Sequence, residues 1–586
     1  MKFQRPSEGV FRLRIVFVVM GLVFLLIVGR LVQYQIIQEK EINAASFAKR
    51  SVADTIPATR GQILDSAGNV LAHSVNNYDV NVDPSMVSDF TRQSDGKEFA
   101  VTVAQATTEL AQLLRQAPEK LAKKLIGTGR YANLAKGVTA ETWRNIRSLN
   151  IPWVFGDRQQ TRVYPNGAVA GNLIGFVSKD GRPLAGLEIS MNSCLTGTDG
   201  KEIYEKGVDG IKIPQSTQIT QEAKDGNDLV LTINSDLQYY SQQVMTKYVK
   251  KYRADWGTAV VIEAATGKIL AAAEAPSVDP NVYYRSDASD RGARIFSTPV
   301  EPGSTMKTVT TASMIDQGKA DALSQVVAPF SLKLFNRTIS DSHGHAPERL
   351  TLTGVMAESS NTGIVKLGRS LSAQTRYRYY KLFGLGKETG VNFNGESGGI
   401  LHNVNDPNTD EVTKLVEMFG QGMSTTPIQA AMIYQTLANG GVRLSPQLVE
   451  GCRDASGKVT SVPLPKPVRV VSESAARETI NILENVVTKG PIGQTAKIPG
   501  YRVAGKTGTA QISAGKEYGS SHAISFIGMV PAESPKYVLA VTIYKPRTVT
   551  NSLGATPPWK EIMEQVLHAY RVPPSRSHSP NIATTW

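Results

Sequence analysis

Polarity along the chain changes abruptly at Ile15. From there IVFVVMGLVFLLIVG runs to Gly29 without a charge and resumes past Arg30 as LVQYQII, so residues 15–37 hold the roughly 20 apolar residues that a bilayer-crossing helix needs. Arg30 lies near the outer end, where a long side chain can snorkel to the headgroups. Lys2, Arg5, Arg12 and Arg14 precede the apolar run, which assigns residues 1–14 to the cytoplasm under the positive-inside rule. A cleaved signal peptide would be followed by a small-x-small site, and none follows at the usual distance. The segment reads as a retained single-span anchor in the cell membrane, N-terminus cytoplasmic, with nearly everything beyond residue 37 extracytoplasmic.

Past the anchor the period of the pattern varies. Ala58 to Pro84, ATRGQILDSAGNVLAHSVNNYDVNVDP, has strand-like apolar pieces around a Ser-Ala-Gly-Asn turn. TVAQATTELAQLLRQ, within residues 95–150, places apolar residues at helical spacing, and Arg162 to Glu188 is dense in turn residues. Together these predict an elongated pedestal over residues 50–225. DLVLTIN, Asp228 to Asn234, is strand-like. TAVVIEAATGKILAAAEAP predicts two strands around an Ala-Ala-Thr-Gly turn, and AISFIGMVPAESPKYVLAVTIYKP two more around Pro531 to Pro535. Helical patterns lie between these pairs, so the expectation is one antiparallel sheet completed late in the chain, an α+β domain over residues 226–570. Residues 571–586, rich in Ser and Pro, predict a disordered tail.

At roughly 150 residues per domain, 586 residues allow three or four units. A net charge of +13 and a pI near 9.4 would suit nucleic acid, anionic lipid or an acidic polymer. Lys and Arg are scattered without a long block, so the charge reads as a solvated basic surface and no nucleic-acid partner is expected. Cys194 and Cys452 have no CxxC or His-rich neighbourhood, which predicts neither a disulfide framework nor a zinc site. No metal and no cofactor is implied.

Candidate chemistry begins with Ser-x-x-Lys, which occurs at Ser46, Ser94, Ser304 and Ser513 and so proves nothing alone. Ser46 lies just beyond the apolar segment, Ser94 opens a turn, and Ser513 sits in a Gly-rich stretch. After Ser304, by contrast, Met306, Val309, Ala312 and Ile315 recur at helical spacing and Gly318 supplies a stop. A helix opening at Ser304 places Lys307 one turn along on the same face. Two further motifs follow in order: Ser359-Ser360-Asn361, and Lys506-Thr507-Gly508-Thr509. Ser-x-Asn is weak, recurring at Ser74, Ser190 and Ser579, whereas Lys-Thr-Gly occurs once. The ordered set is far more specific than any part.

In this order the motifs resemble the signature of the penicillin-binding proteins. Similarity extends through RGQILDSAGNVLA, RVYPNGAVAGNLIGFV with GLE, VEPGSTMKT, FGQGMSTTPIQ and SFIGMVPAESPKYVLAV, and the chain looks most like a class B, monofunctional transpeptidase of the septal type. One departure, Asp65-Ser66-Ala67-Gly68 where relatives often carry Asp-Arg-Asn-Gly, touches a pedestal turn. The resemblance implies a serine transpeptidase-like α+β domain on a dimerisation-like pedestal. Ser304 would attack the penultimate D-Ala carbonyl of a peptidoglycan stem peptide, and β-lactams would acylate the same serine. No histidine accompanies the motifs, so Lys307 is the available base, made neutral by burial and by the second cation, Lys506. Ser359 would relay protons, and Asn361 would orient Lys307 and bind a substrate amide. Thr507, Gly508 and Thr509 would form the substrate strand, with Lys506 charged toward a carboxylate and the N–H groups of Ser304 and Thr509 as oxyanion hole. Implied partners are a polytopic glycosyltransferase and other division proteins. Three alternatives remain: an elongation-type transpeptidase, a D,D-carboxypeptidase or β-lactamase, and a catalytically silent division scaffold.

Overall fold

The computed structural model describes residues 8–94, 97–205, 207, 213, 215–335, 337–514 and 517–586. Lys2 and Arg5 of the basic flank, Asp95 and Gly96 of the second Ser-x-x-Lys, and Gly515 and Lys516 of the fourth lie outside the described residues. The chain divides into two compact units, Met1–Thr59 with Gly197–Gly226, and Arg60–Thr196 with Asn227–Trp586.

In the first unit a helix over Glu8–Val32 continues as a π-helical turn, Gln33–Ile37. Its stretch Gly9–Ile37 is long and apolar enough to cross a membrane, and none of it is buried by protein. Helix forms well ahead of Ile15, because Val10, Phe11 and Leu13 extend the apolar surface between the arginines. A second helix, Glu39–Arg50, leads into a strand, Ser51–Ile56, that pairs antiparallel with Gly200–Glu205, which in turn pairs with Gln218–Gln221.

The second unit is built on two sheets. One has seven strands, among them Ile63–Leu64 and Val70–Val82 on either side of the Ser66-Ala67-Gly68-Asn69 turn. Asp228–Leu231 lies parallel to Ile63–Leu64 and antiparallel to Val449–Arg453, so a hairpin from far downstream completes this sheet. The expectation for the cysteines is overturned here. Cys194 and Cys452 form a disulfide, Cα to Cα 6.0 Å. Their closeness is made by strand pairing, since Cys452 lies opposite Leu229 and the Cys194 carbonyl accepts the Asn227 N–H.

The other sheet is fully antiparallel. Its strands are β1 (Trp256–Glu263), β2 (Ile269–Ala275), β3 (Ala504–Ala514), β4 (Glu517–Val530) and β5 (Tyr537–Tyr544), in the order β2-β1-β5-β4-β3. The two strand pairs expected from sequence are thus neighbours. Strand β1 is apolar on both faces, as TAVVI requires: Val260 and Ile262 join one core, Ala259 and Val261 the other. Helices build this part of the fold around the sheet. They are α1 (Ser235–Tyr252), α2 (Lys307–Asp316), α3 (Leu352–Glu358), α4 (Asn361–Gly368), α5 (Pro427–Ala438), α6 (Glu473–Lys489) and α7 (Thr556–Ala569). α1 and α7 pack on one face, α5 on the other. Trp559 of α7 is fully buried, donates its indole N–H to the Leu539 carbonyl at 2.8 Å and meets Phe526 edge-on at 4.8 Å. Burying an aromatic of that size stabilises by roughly 5 kcal/mol at about 25 cal/mol per Å².

The tail departs from expectation. Residues 571–586 are not a free end: Thr584 accepts the Thr351 N–H at 3.0 Å, and Leu350 bridges to Thr585. Composition predicts disorder from the lack of an apolar core. What orders this segment is hydrogen bonding to distant parts of the chain, among them the side chains of Asn485, Lys489 and Arg502, which composition does not register.

Candidate active site

Ser304 sits in a 3-10 turn, Gly303–Met306, that passes directly into α2. A tighter turn therefore precedes the helix expected at the serine. Gly303 has φ +55°, a conformation open mainly to glycine, and a Cβ there would lie 3.0 Å from the Thr509 carbonyl oxygen. Across the contact, a Cβ on Gly508 would fall 2.4 Å from Ser525 Oγ and 3.0 Å from the Pro302 carbonyl. The two glycines let the serine turn press against β3, which is the sheet's edge strand.

Lys307 opens α2, and its Nζ lies 3.0 Å from Ser304 Oγ and 3.2 Å from Ser359 Oγ, and also donates to the Ser359 carbonyl. Ser359 caps α3 in the left-handed conformation, φ +61°, which turns its hydroxyl and carbonyl to the same amine. From β3, Lys506 Nζ reaches Ser359 Oγ at 2.9 Å and Thr507 Oγ1 at 3.2 Å. A continuous polar chain results: Ser304, Lys307, Ser359, Lys506. Both lysines are fully buried while Ser304 and Ser359 are half-buried. Among the described residues neither lysine pairs with a carboxylate within 4.0 Å. Burial, and secondarily the charge of Lys506, hold the Lys307 amine well below the usual lysine range, with Asp341 opposing. Burial also brings Lys506 down to about 7, with Glu358 opposing. The expectation of a permanently charged Lys506 is therefore revised: it titrates near neutrality.

Asn361 opens α4, and its Nδ2 donates to the Ser340 carbonyl at 2.8 Å. It makes no hydrogen bond to Lys307, whose amine meets Ser359 instead. Thr509 is exposed, and its hydroxyl accepts the Ser552 N–H at 3.2 Å. A cavity of about 390 Å³ opens alongside, between Val300 and Glu301 ahead of the serine turn and Ala510, Gln511 and Ile512 on β3.

Two residues that hold the site were missed from sequence. Asp341 accepts from Thr362 N at 3.0 Å, Ser360 Oγ at 2.7 Å and His345 Nε2 at 3.1 Å, as well as from Asn361 N. It anchors the loop carrying Ser359 and Asn361, and no local signal in TISDSHGH marks it. Gly420, φ +80°, accepts the Gly303 N–H on its carbonyl at 3.1 Å, where a Cβ would meet the Gly303 oxygen at 2.3 Å. It lies in FGQGMSTTPIQ, whose paired glycines were the available sign.

The decoys separate on contacts. Ser46 also lies in a helix, Ser94 ends a strand, and Ser513 lies in β3. Helical placement alone does not distinguish Ser304, whereas its link through Lys307 to Ser359, and from there to Lys506, does.

Residues 257–564 match the family described as Penicillin binding protein transpeptidase domain, and residues 55–231 the Penicillin-binding Protein dimerisation domain. The fold is thus that of the transpeptidase-domain class. The chain belongs to the penicillin-binding proteins. It is similar to the penicillin-binding protein PbpB of Mycolicibacterium smegmatis, 32% identical over 98% of this chain and 93% of that protein. It is 29% identical to the peptidoglycan D,D-transpeptidase FtsI of Escherichia coli, over 95% of this chain and 91% of that one. A crystal structure of a peptidoglycan synthetase from Bifidobacterium adolescentis superposes with a TM-score of 0.75 at 30% identity, covering 92% of this chain and all of that one.

Proposed function

We propose that this protein is a membrane-anchored peptidoglycan D,D-transpeptidase acting through a Ser304 acyl-enzyme. The observation that carries the reading is the Ser359 hydroxyl, within hydrogen-bond reach of both buried lysines while Lys307 reaches Ser304. Neutral Lys307 takes the Ser304 proton as Oγ bonds to the penultimate D-Ala carbonyl carbon. The oxyanion forms beside the N–H groups of Ser304 and Thr509, each such donor being worth roughly 3 kcal/mol. The proton then passes from Lys307 through Ser359 to the leaving nitrogen, the C–N bond breaks, and terminal D-Ala departs. A neighbouring strand's amine attacks the ester and returns the proton to Ser304, closing the cross-link. Lys506, with the hydroxyls of Thr507 and Thr509 and the backbone of Gly508, receives the substrate carboxylate, while Asn361 Oδ1 accepts a substrate amide. A β-lactam enters the same path and stops at the ester.

The apolar N-terminal helix anchors the chain with its N-terminus inside, and the Cys194–Cys452 disulfide supports an extracytoplasmic catalytic domain, since such bonds persist outside the reducing cytosol. The resemblance of the motifs to septal-type relatives supports a role in septal wall synthesis, with a polytopic glycosyltransferase and other division proteins as its partners. A fluorescent fusion should gather at the division site, and uniform lateral placement would favour elongation instead.

The test of the mechanism is labelling with a fluorescent penicillin followed by peptide mapping. The adduct is expected on Ser304, with slow release. An adduct elsewhere, or undiminished labelling of Ser304→Ala, would refute it. Rapid turnover of the ester would identify a hydrolase.

A further inference from the structure

Ser359 is the hinge of the polar chain, and its position is set by α3, seven residues and about 10 Å long. The start of that helix is held by the last residues of the chain. Thr351 is its N-cap, accepting the Gly354 N–H on Oγ1 at 3.1 Å. The same hydroxyl donates to the Ala583 carbonyl at 2.7 Å, and the Thr351 N–H donates to Thr584 at 3.0 Å. Arg349, just upstream, stacks over the Trp586 ring at 5.0 Å. Gly354 has no side chain where one is forbidden: a Cβ would lie 1.9 Å from the Thr584 oxygen.

The same segment is tied along α6, the helix beside β3. Asn485 Nδ2 donates to the Pro580 carbonyl at 3.0 Å, and Lys489 Nζ donates to Ile582 at 2.5 Å. Ser579 Oγ donates to Glu484, which is fully buried and takes both arms of Arg502 at 2.8 Å. Arg502 in turn donates to Ser577 Oγ at 2.7 Å. The segment therefore binds the helix that ends in Ser359 to the helix that backs the Lys506 strand.

We propose that residues 575–586 are a positioning strap for the active site, fixing the separation between Ser359 and Lys506 by joining the start of α3 to α6. The strap touches neither substrate nor reacting atoms and acts through Ser359. Its loss lets α3 shift along its axis, and a displacement of about 1 Å at a reacting centre can cost on the order of 100-fold in rate. This inference rests on the proposed Ser304 mechanism, and the two fail separately: adduct mapping decides the mechanism, the rate of that adduct's formation decides the strap.

Gly354→Ala in the full chain is the sharpest perturbation, because alanine favours helix yet its methyl evicts Thr584. A second variant ends the chain after Pro574, and Trp586→Ala is a mild third. Each is checked by thermal melting, then assayed for penicillin acylation with the noncovalent binding step resolved from the first-order step. The expected result is a roughly 10- to 100-fold fall in the first-order constant for Gly354→Ala and the shortened chain, with initial binding little changed. The synthetic peptide SRSHSPNIATTW should restore the rate to the shortened chain when added at high concentration, which a general loss of stability would not permit. Wild-type acylation by Gly354→Ala, or a slowed shortened chain that its own folded state and saturating peptide leave unrestored, overturns the strap.

Discussion

Replacing Lys506 by methionine should stabilise the fold while abolishing the chemistry. The side chain is wholly buried, and burial brings its amine from 10.5 down to about 7. At ~1.36 kcal/mol per pH unit, that depression is a penalty of roughly 5 kcal/mol on the charged form, an upper figure for what removal can return. Methionine keeps the length and most of the packing. It forfeits the hydrogen bonds to Ser359 Oγ and Thr507 Oγ1, each worth about 1 kcal/mol net, which leaves a gain of about 2–3 kcal/mol. The pH dependence identifies the cause. Between about 7 and 10.5 the unfolded lysine binds a proton that the folded one does not, so wild-type stability rises with pH across that window. Lys307 is depressed in the same direction chiefly by burial, which both proteins share, and in the variant it loses only the secondary push of the Lys506 charge. The advantage of Lys506→Met is therefore full below pH 7 and fades toward pH 10. Chemical denaturation of the full chain in detergent at pH 6.5, 8 and 9.5 measures it. A variant less stable than wild type at pH 6.5, or a difference that does not change with pH, would show that the buried ammonium is not the source of strain.

Arginine separates the two lysines, because it keeps its charge and cannot serve as a base: Lys307→Arg should lose about 10²- to 10⁴-fold in penicillin acylation and Lys506→Arg less, and the reverse order would remove Lys307 as the base. Gly508→Ala, whose methyl would meet Ser525 Oγ at 2.4 Å, should separate β3 from the serine turn and slow acylation at least tenfold by stopped-flow fluorescence, on the order of what misplacement by a fraction of an ångström costs; an unaffected rate would show that the contact is dispensable. Asp341→Ala, which frees the loop holding Ser359 and Asn361, should slow acylation while leaving the melting temperature of the large sheet core nearly unchanged. Cys194→Ser should lower thermal stability, by at most about 5 kcal/mol on loop-closure entropy, without altering the acylation rate of the folded protein; equal stability would mean that the cross-link does not constrain the unfolded chain.

What could be read from sequence was local or periodic. Ser304 and Lys307 stand three apart, so any helical turn brings them together, and the apolar faces of β1 and β5 fix a sheet covered on both sides. The contacts that proved hidden are those made across long separations. Asp341 became a hub because Ser360, Asn361 and Thr362 of another segment converge on it beside its near neighbour His345, and Cys452 reaches Cys194 through the pairing of a strand that its neighbours do not announce. The geometry of Ser359 depends on a left-handed cap that no serine pattern specifies. The near-neutral titration of Lys506 was equally out of reach, because its cause is complete burial, a property of the finished fold.

Because the sheet runs β2-β1-β5-β4-β3, the strand carrying Lys506 finds its one sheet neighbour in a strand that is synthesised after it. β3 pairs with β4, β4 with β5, and β5 alone docks on the β1–β2 pair, Glu263 of β1 lying opposite Tyr537 of β5 far downstream. In the order of synthesis Ser304 and Lys307 therefore appear long before their partner lysine can be seated. Through that interval the polar chain from Ser304 through Lys307 and Ser359 lacks its last member, and it is complete only when the late strands have paired.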